Sequence, residues 1–285
     1  MSLFNFFKKK NNDTLADQQT NKQENIEKNK ENIQQNKNQS VSGKNLVGFP
    51  LLKEIKFNKK EFKSNFKKYW NIDLVEESNK EDILTFYVGN TLVTVSLMPA
   101  PIPNKEAEKN APYNFMWKDA LKQVEKHKAH LLVAVLGNTT IIEKSIIFVK
   151  VLSTICKSEN ILAIYLNSIT YEPSFYFECA DMINSEEFPI YNLVWFGLYK
   201  NNDNINCSYT IGMNNFNKDE IEVLGGNIEF RKIQDFTMNV ANYVITQNIT
   251  LKEGETIGFT EKQKCKISYG KGLILPINTL KIEMI

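Results

Sequence analysis

His127-Lys128-Ala129-His130 carries both imidazoles of the chain. Two histidines at this spacing can share a metal ion, or one can act as a general base if a carboxylate orients its ring. Either use requires a third group, and the neighbouring sequence marks none. His127 also falls on an apolar stripe of helical spacing, where a hydrogen-bonded core histidine is the usual outcome, and His130 opens an apolar run. The residues therefore favour a structural use for both, with metal or acid–base work as the minority alternative.

The carboxylates are read the same way. Glu172, Glu178 and Asp181 gather around one helical stretch, and Asp219, Glu220 and Glu222 follow Phe216. Paired acids do acid–base work only where one is desolvated. Solvated faces and helix starts account for most such runs. Cys156, Cys179, Cys207 and Cys265 lie far apart, without a C-x-x-C pair, and the first two sit in apolar patterns where free cysteine behaves as a small hydrophobe. Phosphate-loop, dinucleotide, serine-hydrolase and zinc-protease motifs are absent,. Gly270-Lys271-Gly272 lacks the spacing and the following helix of a phosphate loop. No catalytic residue, metal ligand or cofactor is assigned. Pro99, Pro101, His127, His130 and Glu220 are kept as candidate contacts for a ligand or partner. The Pro99–Pro103 run has the form of a polyproline ligand, but its first use is as a stiff connector lacking three backbone donors.

The elements that must position these groups follow from periodicity. Val47–Phe57 reads as a strand broken by Pro50, and Asn58 as the cap of a helix over 59–70 with Phe62, Phe66, Tyr69 and Trp70 on one face,. Ile83–Val88 and Leu92–Met98 flank Gly89-Asn90, a two-residue hairpin signal,. Asn110 is placed to cap a helix carrying Tyr113, Trp117, Ala120, Leu121, Val124 and His127 as one stripe, and Leu131–Leu136 reads as a buried strand,. That order, β-α-β-β-α-β, is the ferredoxin-like one. Ile141–Cys156 is apolar almost all round, as a buried helix is,. A second round then runs through strand Ile161–Leu166, a helix over Ser174–Ile183, strands Leu193–Tyr199 and Cys207–Met213, and a helix with Ile233, Phe236, Val240 and Val244. A closing strand near Thr256–Phe259 and short strands at Cys265–Ser268 and Leu280–Met284 complete it. The expected architecture is α+β, with two ferredoxin-like halves (46–140 and 161–285) packed through a connecting buried helix (141–160), after a disordered tail (1–45).

Composition narrows the partners. Residues 1–46 hold eight lysines and five acids, leaving 27 bases against 28 acids in the rest. The body is thus nearly neutral. Arg231 is the only arginine, and the planar guanidinium fork is what reads guanine edges and phosphates bidentately, so nucleic acid is an improbable partner. No segment reaches the roughly 20 apolar residues that span a bilayer, and Phe4–Phe7 is too short for a secretory signal. Phe4, Phe6 and Phe7 before Lys8, Lys9 and Lys10 have the composition of a weak peripheral membrane contact,. From Asn11 to Ser42 the chain is Asn, Gln, Lys and Glu with few apolar residues, which cannot offset its ordering entropy.

VWFGLY (194–199), YTIGMNNFNKDEIEVL (209–224) and GETIGFTEKQKCKI (254–267) resemble a bacterial family known as domain of unknown function 4261. MPAPIP, the Trp117-Lys118-Asp119-Ala120 segment and HKAHLLVAVLG are similar to the upstream part of longer members. The resemblance implies a cytoplasmic bacterial protein and brings no reaction, cofactor or catalytic residue. The function expected is a non-catalytic binding or accessory module for a protein partner. The alternative is a hydrolase or small-ligand enzyme using His127, His130 and nearby carboxylates.

Overall fold

The computed structural model describes residues 44–77, 80–258 and 263–284. The expected tail, including Phe4, Phe6 and Phe7, lies outside the described residues apart from its last positions. The described chain is mixed α+β, with two six-stranded sheets. Strands β1 (Leu46–Leu52), β2 (Ile83–Val88), β3 (Thr91–Met98), β4 (Ala129–Leu136), β5 (Ile161–Leu166) and β6 (Ile169–Tyr171) form the first sheet, in the order β2-β3-β4-β1-β5-β6. Strands β7 (Trp195–Lys200), β8 (Asn206–Ile211), β9 (Ile221–Leu224), β10 (Thr256–Ile257), β11 (Cys265–Lys271) and β12 (Asn278–Glu283) form the second, ordered β10-β11-β12-β9-β8-β7. Six α-helices accompany them: α1 (Lys59–Trp70), α2 (Glu106–Asn110), α3 (Ala120–Val124), α4 (Ile141–Ile155), α5 (Pro173–Cys179) and α6 (Phe230–Thr246).

Local chemistry sets the main boundaries. The Asn58 side chain accepts the Glu61 backbone N–H and starts α1, and Asn71 in the left-handed region ends it,. Thr140 and Glu143 form a reciprocal capping box at the start of α4,. Gly89, at φ +57°, turns β2 into β3. On one face of the first sheet, α4 packs on β1 and β4 and beside α1, and Trp70 Nε1 ties the two helices by donating to Thr154 Oγ1 at 3.0 Å. Phe66, Phe86, Leu84, Phe148 and Leu152 are fully buried there, each contributing about 1.5–3 kcal/mol. That core runs on into the second sheet, where Ile233, Phe236, Val240 and Val244 of α6 are buried with Ile221, Val223 and Ile282.

The strand order corrects the ferredoxin-like expectation. That topology sets β3 parallel beside β1, whereas here β3 pairs antiparallel with β4, and β4 antiparallel with β1. The cause lies between β3 and β4. A ferredoxin-like crossover needs a continuous helix there, but residues 99–128 form a closed excursion whose two ends meet, Met98 pairing with His130. Asn114 interrupts the expected helix. Its Oδ1 accepts the Met116 and Trp117 N–H groups at 2.9 and 3.2 Å, and its Nδ2 donates to Thr170 O at 2.7 Å. Such side-chain bonds compete with helix continuation, leaving the short α2, a 3-10 turn over Ala111–Tyr113 and α3. Tyr113 and Leu121, placed on an apolar stripe by spacing, are exposed.

Two further differences follow. Strand β5, expected to open a second half, pairs with β1 in the first sheet, on the side a ferredoxin-like β4 would occupy. Pro50 does not break β1; its Cα pairs with Ile164 of β5. In the second sheet the closing role falls to β12, parallel to β9, while β10 spans only Thr256–Ile257 at the edge.

Candidate functional site

The two histidines hold the closed excursion together. His127 Nδ1–H donates to Val124 O, and its Nε2 accepts the Ile102 backbone N–H at 3.0 Å. Both ring nitrogens of a neutral imidazole are thus committed. His130 Nδ1 donates to Ala100 O at 2.8 Å, and its ring meets Phe49 edge-on at 6.0 Å. Burial holds the His130 imidazole below its ordinary value, against the opposing pull of the Ala100 carbonyl,. Pro101 between these anchors and Pro99 just before them are exposed, while Ile102 is buried. Beneath the excursion a small apolar cluster forms on the outer face of the first sheet, from Leu51, Ile102, Ala107, Val124, Ala163 and Tyr165, with Phe49 and Trp117 packed on it. Tyr165 donates to Glu106 Oε1 at 2.6 Å and accepts from Asn110 Nδ2 at 2.7 Å. Burial, then the Glu106 bond, pushes its phenol up to about 12. Glu108 Oε1 stands 4.0 Å from His127 Nδ1. Among the described residues no group of three His, Cys, Asp or Glu could hold a metal ion.

Of the acidic run after Phe216, Asp219 is exposed while Glu220 and Glu222 are buried, which corrects the expectation of a solvated face for those two. Glu220 accepts from Thr210 Oγ1 at 2.7 Å and from the Gly212 N–H at 2.8 Å, pinning the turn over Met213–Phe216. Glu222 lies in β9, 0% exposed. Its carboxylate accepts four donors: the N–H groups of Leu273, Ile274 and Leu275 at 2.7, 3.1 and 3.2 Å, and Thr279 Oγ1 at 3.2 Å. A buried carboxylate is costly unless its lone pairs are met, and here the β11–β12 loop supplies the donors. Gly272 permits the approach, since a Cβ there would stand 2.5 Å from Leu275 O and 3.1 Å from Glu222 Oε1.

Tyr209, which faces Glu222 across the β8–β9 ladder, begins a stretch that can be identified. Residues 209–283 match the family model described as domain of unknown function, DUF4261. The match covers that stretch and not the rest of the chain. It runs from β8 to the end of β12 and so takes in Glu220, Glu222, α6 and the loop that Glu222 holds. No curated protein and no solved structure matches the chain.

Against the first strand of the second sheet, just upstream of the DUF4261 stretch, lies an apolar cleft of about 240 Å³. Its walls are Met116, Phe175, Tyr191, Val194, Trp195 and Phe196, completed by Cys179 and Gln234. Tyr191 meets Phe196 edge-on at 5.7 Å, and Gln234 Nε2 donates to Phe196 O at 3.1 Å. Burial raises the Cys179 thiol to about 12 and also raises the Tyr191 phenol, so neither is a nucleophile or base near neutral pH. The buried Asn114 anchors the loop that brings Phe115 and Met116 to this cleft, both exposed, with the Phe115 ring 5.4 Å from that of Trp195. Of the sequence candidates, the structure brings together Pro99, Pro101, His127 and His130, and sets Glu220 apart in the second sheet. Sequence reasoning missed the cleft, since its walls come from residues up to 118 positions apart. Its one local signal was a polar Asn114 inside the aromatic run Tyr113–Trp117.

Proposed function

We propose that the chain is a non-catalytic accessory module of the bacterial cytoplasm that binds a protein partner through the Met116–Trp195 cleft. The observation that carries this reading is the cleft itself: an apolar concavity edged by the exposed Phe115 and Met116 on an anchored loop. Exposed apolar residues gathered around an aromatic-lined recess are the form of an interaction hot spot, which takes an apolar side chain from the partner. Four free cysteines accord with a reducing compartment,. The reading that uses His127 and His130 in catalysis draws no support from their geometry, because His127 has no free ring nitrogen and His130 faces the backbone of the proline run.

A photo-crosslinking residue placed at Met116, in cells that produce the chain, tests the proposal. One discrete protein adduct is expected from Met116, none from the equivalent substitution at Lys60 in α1, and loss of the Met116 adduct when Phe115→Asp is added. Identical adducts from both positions, or none from Met116, would exclude the cleft as the contact site.

A further inference from the structure

The loop from Gly272 to Ile277 joins β11 to β12 and exposes Leu273 (51%), Ile274 (44%) and Ile277 (51%). Apolar side chains at a loop tip usually come with solvated backbone groups that oppose transfer out of water. Here the N–H side of that obstacle is removed. The Gly272 N–H donates to Ile277 O at 2.8 Å, those of Leu273, Ile274 and Leu275 go to the Glu222 carboxylate, and Pro276 has none. Every backbone donor from Gly272 to Pro276 is therefore met inside the protein, which is what a non-aqueous, acceptor-free medium demands of a backbone entering it. The surrounding charge is basic. Lys271 is exposed at the base of the loop, and Lys281, the cross-strand partner of Glu222, brings its ammonium beside Gly270. Lys266, exposed farther along β11, faces Glu283 across the ladder, so the basic groups at the loop itself are Lys271 and Lys281, with Glu222 buried under the loop.

We infer that the Leu273–Ile277 loop is a membrane-docking element. Its tip enters the interface of an anionic bilayer while Lys271 and Lys281 at its base face the phosphates. The apolar tip supplies burial, the lysines supply a salt-sensitive attraction of the kind basic surface residues have for anionic lipid, and Glu222 keeps the loop in the inserting shape. The site is separate from the Met116 cleft and does not depend on a protein partner there.

The test is co-sedimentation of the full chain with vesicles of phosphatidylcholine containing about a third phosphatidylserine. Binding is expected to these vesicles and not to pure phosphatidylcholine, to weaken with added salt, and to fall at least about tenfold in Leu273→Ser/Ile274→Ser. Both positions are exposed, so the double variant should keep the wild-type unfolding midpoint. In a second measurement, Leu273→Trp should show a blue-shifted emission on vesicle addition that the wild type lacks. Binding that survives the double substitution but disappears on deletion of residues 1–43 would overturn the proposal and assign the contact to the aromatic–lysine start. No binding at all would overturn it too. So would an introduced tryptophan whose emission vesicles leave unmoved, the result a loop kept for a protein partner would give.

Discussion

His127 Nε2 accepts the backbone N–H of Ile102 from 25 residues away. Three positions on, His130 takes the carbonyl of Ala100, so two residues of the proline run are held by two imidazoles at the start of β4. A proline-rich connector has few donors of its own with which to anchor itself. The histidines supply the missing hydrogen bonds, one accepting and one donating. Spacing that suggests a metal pair in the sequence thus closes the neck of a loop, and that closure sets β4 between β3 and β1.

A pH dependence follows from the second imidazole. Burial lowers the His130 pKa in the fold from 6.5, so between the folded and ordinary values the unfolded chain binds the extra proton and stability rises with pH. This contribution is complete above about pH 6.5 and is lost as pH falls from there through the lower folded value. Urea unfolding at about pH 7.5 and about pH 5.5 should show the loss in wild type. It should be smaller in His130→Gln; an unchanged difference would show that His130 does not carry it.

Zinc should not recognise the pair. At modest excess it should shift the unfolding midpoint equally in wild type and in His127→Gln/His130→Gln. A bound metal would instead stabilise the native state by about 2.7 kcal/mol at a hundredfold excess over Kd, and that shift would vanish with the histidines.

Trp117 has a smaller role than its place on a helical stripe suggests. A core anchor of that size would cost about 3–5 kcal/mol on truncation to alanine. Half-buried on the small cluster outside the first sheet, it should cost about 1.5–3 kcal/mol by the area it covers, read by chemical denaturation.

Periodicity located the elements whose faces are apolar: α1 with its Asn58 cap, the Gly89 hairpin, β4, α4 and the buried stripe of α6. It did not locate the pairing of strands, because β4 and β5 are apolar enough to be central in either topology. It also failed where a polar side chain overrides the pattern. Asn114 breaks a helix that spacing supports, and Glu222 sits in the middle of Ile221–Leu224, where an acidic residue reads as solvated loop. The bonds that bury both side chains, Asn114 to Thr170 and Glu222 to Leu273 and Thr279, join residues 51 to 57 positions apart, beyond any local window.

Glu222 gives the sharpest test of the second sheet. Its two oxygens serve four donors, three of them backbone N–H groups that no side-chain substitution removes. Glu222→Gln keeps the volume but turns one acceptor oxygen into a donor, facing N–H groups already aimed at it. Leaving buried donors unmet costs about 1–3 kcal/mol each, so the variant should lose about 2–4 kcal/mol in urea unfolding, and Glu222→Ala at least as much. The same change at the exposed Glu229 should stay within about 0.5 kcal/mol. Amide exchange distinguishes the cause: in Glu222→Gln the protons of Leu273, Ile274 and Leu275 should exchange faster while those of β1 and β4 keep their protection relative to the new global stability. If Glu222→Gln is as stable as wild type, the carboxylate does not hold the loop.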